Sequence, residues 1–250
     1  MREITAEEEE RLAKYDKLNL ELINKNFAII PNKVINAGLT ADELGLYVWL
    51  TINSGKKPRY KDAIVSTYQD KAHLSLKVRG GGRTYQSFQE KICKLLDSLE
   101  EYGFIKLELT KPEGDLLVEV IQDTDQGFCK VYSDSVIAVL NTSAYKNRLV
   151  NLATYTIFRS FVYESDQRPY NRVVSNKNRL MAKKLNTYPS TIRRRMDWLY
   201  ENRVLAAFKC RMFGDYCRSQ NFFSDLHDAS YLVDYVRESY NSHEVKDILE

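Results

Sequence analysis

Histidine is scarce in this chain, and no two cysteines stand close enough to form a knuckle. The 250 residues hold three histidines, His73, His227 and His243, and four cysteines, Cys93, Cys129, Cys210 and Cys217. A structural zinc site wants four ligands at clustered spacing, commonly in C-x-x-C pairs. Cys210, Cys217 and His227 are the one set that could be drawn together. The favoured reading is reduced thiols in or near the core, with no metal. H-E-x-x-H, G-x-S-x-G and G-x-x-x-x-G-K-[ST] are all missing. The one glycine cluster, Gly80-Gly81-Gly82, sits between Arg79 and Arg83 without the spacing of a phosphate loop. Seventeen tyrosines could offer a nucleophile for DNA strand transfer, but no H-x-x-R or paired-histidine cluster accompanies them to stabilise phosphate charge. These absences predict a protein that is not an enzyme and needs no cofactor.

Long apolar runs are missing too. No uninterrupted run exceeds five residues, as from Leu46 to Leu50, against roughly 20 for a bilayer span. The opening Met1-Arg2-Glu3 leads into Glu7 to Glu10 without the apolar core of a secretion signal. A cytoplasmic protein without membrane contact is expected. With 10 Gly and 5 Pro the chain is not low in complexity, and 44% hydrophobic with 28% charged residues is ordinary for a globular protein. The length accommodates two domains as readily as one.

What is present is a charge asymmetry. The net charge is only +3, yet Arg168 to Arg211 holds twelve Lys and Arg against two acids, Asp197 and Glu201. The first 24 residues carry seven acids and four bases, and the 28 from Phe223 carry seven acids and two bases. A basic block inside an otherwise acidic chain is the footprint of a polyanion site.

Within that block, Asn178 to Leu185, the turn Asn186-Thr187-Tyr188 and Pro189 to Leu199 read as helix, turn, helix. Leu180 and Leu185 are expected inside the first helix, with Ala182 allowing a close crossing. Pro189 suits a first helical position. Ile192, Met196 and Leu199 make one buried stripe, which leaves Ser190, Thr191, Arg193, Arg194 and Asp197 outward. Val204 to Lys209 then reads as a strand, Gly214 and Asp215 as a turn, and Tyr216 to Arg218 as the return.

A similar plan precedes residue 123. Ile92, Asp97, Leu99 and Glu101 recur as Ile192, Asp197, Leu199 and Glu201, at an offset of 100. Gly103 ends the earlier helix, Phe104 to Leu109 and Leu116 to Ile121 make a hairpin about Pro112 to Asp115, and Thr40-x-x-Glu43 caps a helix from Ala41 to Asn53. That helix parallels Asn147 to Val162, and Phe27 to Ile30 parallels Phe128 to Val131. A duplication is the expectation. The final helix of the first copy, roughly Tyr85 to Tyr102, mixes its charges (Glu90, Lys91, Lys94, Asp97, Glu100, Glu101), which suits protein contact better than phosphate. At the chain ends, Thr5-x-x-Glu8 can cap a helix running to about Leu18, and Asp225 to Tyr240 is helix-compatible.

The pattern Leu-x-Ala-x-x-Leu, turn, Pro-Ser-Thr-Ile-Arg-Arg followed by a hairpin resembles the winged-helix DNA-binding superfamily over roughly Phe128 to Phe223. Two such units in tandem look like the replication initiators of bacterial plasmids and some phages. The resemblance implies a mainly α protein with small β-hairpin wings (α+β). Its parts would be an acidic helix (1–24), a first module for dimerisation or protein contact (25–122), a DNA-binding module (128–223) and an acidic C-terminal helix (224–250). It implies double-stranded DNA as partner, bound as a homodimer. Lys177, Arg179, Lys183, Lys184, Tyr188, Ser190, Thr191, Arg193, Arg194, Arg195, Lys209 and Arg211 would be the contacts, with Lys77, Arg79 and Arg83 as a secondary loop. A transcriptional repressor of a mobile element, or an adaptor recruiting replication or partition proteins, would use the same parts.

Overall fold

Apolar spacing sets the architecture. A computed structural model describes residues 3–15, 26–53, 62–64, 83–109, 116–164, 167–214 and 218–249. Its helices are α1 (Ala6–Leu12), α2 (Asn32–Ile35), α3 (Ala41–Asn53), α4 (Arg83–Glu101), α5 (Ser133–Thr142), α6 (Arg148–Arg159), α7 (Asn178–Lys184), α8 (Pro189–Glu201) and α9 (Ala229–Asn241). Its strands are β1 (Phe27–Pro31), β2 (Asp62–Ile64), β3 (Ile105–Leu109), β4 (Leu116–Val120), β5 (Phe128–Tyr132), β6 (Val174–Ser175), β7 (Leu205–Met212), β8 (Ser219–Asp225) and β9 (Val245–Ile248). The fold is α+β with small antiparallel sheets: β1-β5, β2-β4-β3 and β6-β8-β7-β9. No helix among the described residues is long and apolar enough to cross a membrane.

The two halves repeat an order of elements. The buried residues Ile92, Leu96 and Leu99 of α4 stand where Ile192, Met196 and Leu199 stand in α8. Both helices close alike. Phe104 N–H donates to the Leu99 carbonyl and Val204 N–H to the Leu199 carbonyl, while the 103 and 203 amides reach the carbonyls of Glu100 and Tyr200. That closure puts residue 103 or 203 in the left-handed region. The first half uses Gly103 (φ 72), and the second holds Arg203 there (φ 56) against the usual preference.

The halves meet across a local two-fold. In the β1–β5 pair, Phe27 lies opposite Tyr132 and Pro31 opposite Phe128, about a centre at Ile29 and Lys130. Each strand therefore presents its first residue to the other's last, as an isologous contact does. Beside it α3 packs along α6. From Leu44 to Thr51 every residue of α3 is buried, as befits a helix that is apolar all round. Thr51 and Asn53 return their side chains to the carbonyls of Tyr47 and Trp49. A Cβ on Gly45 would lie 2.1 Å from the Leu149 carbonyl oxygen, so glycine permits the close approach. One continuous core runs through both halves, from Ile30 and Trp49 to Ile192 and Leu205.

The sheet behind α8 is larger than a hairpin. Leu205, Ala207 and Phe223 face the shared core, whereas Ala206, Phe208, Cys210 and Phe222 face a second core closed by α9, β9 and α1. The expected Thr5–Glu8 capping box is present. The helix gives way to a 3-10 turn at Ala13–Tyr15, and residues 16–25 lie outside the described residues. Glu8 accepts from Ile248 N–H, and Leu12 is fully buried. Tyr15 Oη accepts from Ala207 N–H at 2.7 Å and lies 3.1 Å from the Ala207 carbonyl, standing in for a neighbouring strand beyond the end of β9. The N-terminal helix thus docks on the sheet of the second half.

Candidate nucleic-acid interface

α7 and α8 are joined by a short turn that Asn186 (φ 45) makes possible. Met181, Ala182 and Leu185 are buried from α7. Leu180, expected inside, is 49% exposed. With the helix starting at Asn178, the buried pair falls at i and i+4 as Met181 and Leu185, which turns Leu180 outward. In α8, Ile192, Met196 and Leu199 are buried as expected. Burying three such side chains contributes roughly 1.5–3 kcal/mol each and fixes the helix about its axis.

That rotation decides which charges face water. Ser190, Arg193 and Arg194 are exposed on α8, and Thr191 and Asp197 are half-buried. Lys177, Arg179 and Lys183 are exposed around α7, and Tyr188 stands 76% exposed where α8 begins. None of Lys177, Arg179, Lys183, Arg193 or Arg194 forms an ion pair among the described residues. Some cations elsewhere are matched, as in Lys33–Asp123, Lys91–Asp42 and Arg237–Glu9, while others, such as Lys94, Lys146 and Arg203, are exposed without an ion pair among the described residues. The first turn of α8 contains no acid, so its positive end is not neutralised locally.

Three expected contacts are half-buried, two of them engaged elsewhere. Lys184 is half-buried, donates to Asn36 Oδ1 and sits 5.9 Å from the Phe161 ring centre; burial lowers its pKa. Arg195 is half-buried, and one of its terminal nitrogens is buried without a hydrogen-bond partner. Burial lowers its pKa, with Arg194 adding and Asp42 opposing. Arg211 pairs with Asp247 at 3.0 Å. Lys209 is exposed on β7. Lys77, Arg79 and the side chain of Arg83 lie outside the described residues, as do the turns at Pro112 to Asp115 and Asp215 to Cys217.

Between α8 and the sheet runs a polar cleft. One end is lined by Asn176, Lys177, Asn178, Arg193, Ser219 and Gln220, and the other by Arg193, Asp197, Lys209 and Asn221. Arg193, Asp197, Asn221 and Phe223 belong to both. The asparagines, Ser219 and Gln220 were not marked by the sequence, because neutral polar residues on a returning strand look like ordinary surface. Their signal was position alone, with Asn221 directly across from Lys209 on the neighbouring strand.

A buried charge network underpins this region and was also not legible. Arg159, 1% exposed, donates to Glu164 at 2.6 Å and Asp228 at 3.1 Å, with Asp225 at 3.7 Å. Tyr155 donates to Asp225, and Arg172 to Asp228. His227 is held between Asp225 at 2.6 Å and Asp134 at 3.1 Å, with Tyr132 stacked on its ring. Burial opposes the imidazolium, but hydrogen bonds to Asp134 and Asp225 outweigh it and raise His227 from 6.5 to about 9. Burial pushes Asp225 up, yet the His227 hydrogen bond and the Arg159 charge hold it below the usual carboxylate value. Cys210 is buried in the outer core, and among the described residues no three His, Cys, Asp or Glu are grouped to hold a metal. Comparison with protein-family models, curated proteins and solved structures found no match.

Proposed function

We propose that this protein binds double-stranded DNA sequence-specifically through α8, with residues 25–122 and 128–223 forming two tandem winged-helix units. The carrying observation is the set of five exposed cations without an ion pair among the described residues, Lys177, Arg179, Lys183, Arg193 and Arg194, all borne by α7, α8 or the residue before α7, with Lys177 and Arg193 lining one cleft. A polyanion would supply the negative charge that no described side chain supplies to these five. An α-helix fits the major groove, and an arginine near its leading end can bond guanine bidentately. Protein contacts, homodimerisation included, fall to the first unit through surfaces outside β1 and α3. The biological setting we propose is replication initiation on a plasmid or phage. Binding to several direct repeats with local melting supports that setting, and occupancy of an inverted repeat over a promoter supports a repressor instead.

The test is binding to a duplex recovered by the protein from a randomised library, against a scrambled duplex, over a salt series. Affinity should fall with salt by about 0.9 log units per phosphate contact for each tenfold rise. Arg194→Ala should lose roughly 1–3 kcal/mol on the recovered duplex and less on the scrambled one. Equal losses on both duplexes would mean that α8 does not read bases.

A further inference from the structure

Three consecutive arginines on α8 go to three different places. Each residue turns a helix by about 100°, so Arg193, Arg194 and Arg195 stand about 100°, 200° and 300° round from the buried Ile192. Arg193 lines both ends of the cleft beside the sheet, and Arg194 lines neither. Arg195 turns to the other flank, half-buried, where Asp42 of the first half acts on its charge. Ser190 and Arg194 are left on the outermost line, opposite the buried stripe, and both are exposed.

The cleft changes character along α8. At its leading end Lys177 and Arg193 stand beside Asn176, Asn178, Ser219 and Gln220, with Asp197 as the one acid. At its trailing end Glu201 joins Asp197 against Arg193 and Lys209. Positive charge is in excess at the leading end only. The four neutral side chains there make no hydrogen bond among the described residues, although each carries an amide or hydroxyl donor. Donors and cations thus converge where the cleft opens beside the head of α8, and no described side chain answers them.

We propose that this end of the cleft holds a phosphate of the DNA strand that walls the groove occupied by α8. The inference rests on the DNA-binding reading above. A helix about 10–12 Å across fills a major groove about 12 Å wide. Its outermost line then faces the base edges, and its flanks face the two sugar-phosphate strands. On the sheet side that strand crosses the leading end of the cleft, where Arg193 and Lys177 neutralise a phosphate and the amides and Ser219 hydroxyl donate to its oxygens. Arg193 is therefore a backbone clamp, and Arg194 is the arginine that reads a base. The acids at the trailing end turn the strand away from Glu201.

The test uses the full-length protein and the duplex recovered from the randomised library, with a neutral methylphosphonate replacing one phosphate at a time. Wild type should lose affinity at a few positions. In Arg193→Ala one of those positions should cease to matter while the others keep their effect. The same variant should weaken recovered and scrambled duplexes by one common factor and flatten the salt slope by about one unit. Gln220→Ala should mute the effect at that same phosphate and at no other. Arg194→Ala should keep the whole methylphosphonate pattern but lose the preference for the recovered duplex. If Arg193→Ala leaves the pattern unchanged, or weakens the recovered duplex selectively, the clamp is overturned while the DNA-binding reading stands. If Gln220→Ala does not touch the Arg193 phosphate, the strand does not cross the cleft. If no duplex is enriched from the library, the DNA-binding reading and the clamp fall together.

Discussion

Ile92, Leu96 and Leu99 in α4, and Ile192, Met196 and Leu199 in α8, are buried at matching places along helices that close with the same hydrogen bonds. The outward residues between them diverge. α4 presents Lys91, Lys94, Asp97, Glu100 and Glu101, whereas α8 presents Ser190, Arg193 and Arg194 with the single exposed acid Glu201. A few apolar positions fix where a helix lies and leave its remaining surface free to choose a partner. A repeated order of elements is therefore no argument for a repeated function. The second copy also has backing, since α1, α9 and β9 close a core on the outer face of its sheet. Its Arg159 network ties β5 and α6 to the end of β8.

The largest effect should come from breaking that backing. Arg159→Met leaves Asp225 and Asp228, which are 0% and 2% exposed, without their shared cation. A loss of roughly 3–5 kcal/mol is expected on removing one partner of a buried pair. Urea unfolding measures it, and a loss below about 1 kcal/mol would mean the network is incidental to the second copy. Next comes the contact between copies. Gly45→Ala forces a methyl group to within 2.1 Å of the Leu149 carbonyl, and about 3 kcal/mol of overpacking is expected. Because one core spans both halves, unfolding should stay a single transition at a lower midpoint. Two resolved transitions would show that the copies fold independently.

A smaller effect separates the copies by pH. The folded state raises His227 above its ordinary 6.5 to about 9. Its contribution is therefore complete below pH 6.5 and is lost as the pH rises through about 9. Glu164 and Asp225 are lowered, so their contributions are present at neutral pH and are lost as the pH falls into the carboxylate range. Stability should peak between these limits. His227→Gln should flatten the alkaline limb by on the order of 2 kcal/mol and leave the acid limb in place. An unchanged alkaline limb in denaturant titrations from pH 6 to pH 10 would remove His227 from the account.

What could be read beforehand follows the same division. The stripe at Ile192, Met196 and Leu199, the Thr5 and Thr40 capping boxes, Pro189 at the head of α8 and the left-handed Gly103 are local signals, and each holds. The inward assignment of Leu180 failed because a seven-residue helix has too few apolar positions to fix its phase. β6 and β9 were missed: two and four residues long, they exist only through pairing with β8 and β7. The docking of α1 on that sheet, the Arg159 network and the Asn36 contact of Lys184 join residues far apart in sequence. No local pattern encodes them.

Lys183 and Lys184 give the finest comparison, between neighbours that are alike in sequence. In a helix that crosses a DNA backbone, each lysine would be expected to neutralise one phosphate. The structure separates them: Lys183 is exposed and without an ion pair among the described residues, while Lys184 is half-buried and donates to the exposed Asn36. Each phosphate contact contributes about 0.9 to the slope of log affinity against log salt. Lys183→Ala should therefore flatten the slope by about one unit and weaken recovered and scrambled duplexes alike. Lys184→Ala should leave the slope nearly unchanged and act on stability instead, by about 1 kcal/mol, through the lost Asn36 bond across the two halves. Salt titrations of both variants, paired with urea unfolding, separate the two effects. If Lys184→Ala flattens the slope as much as Lys183→Ala, the Asn36 contact yields to DNA and both lysines belong to the interface.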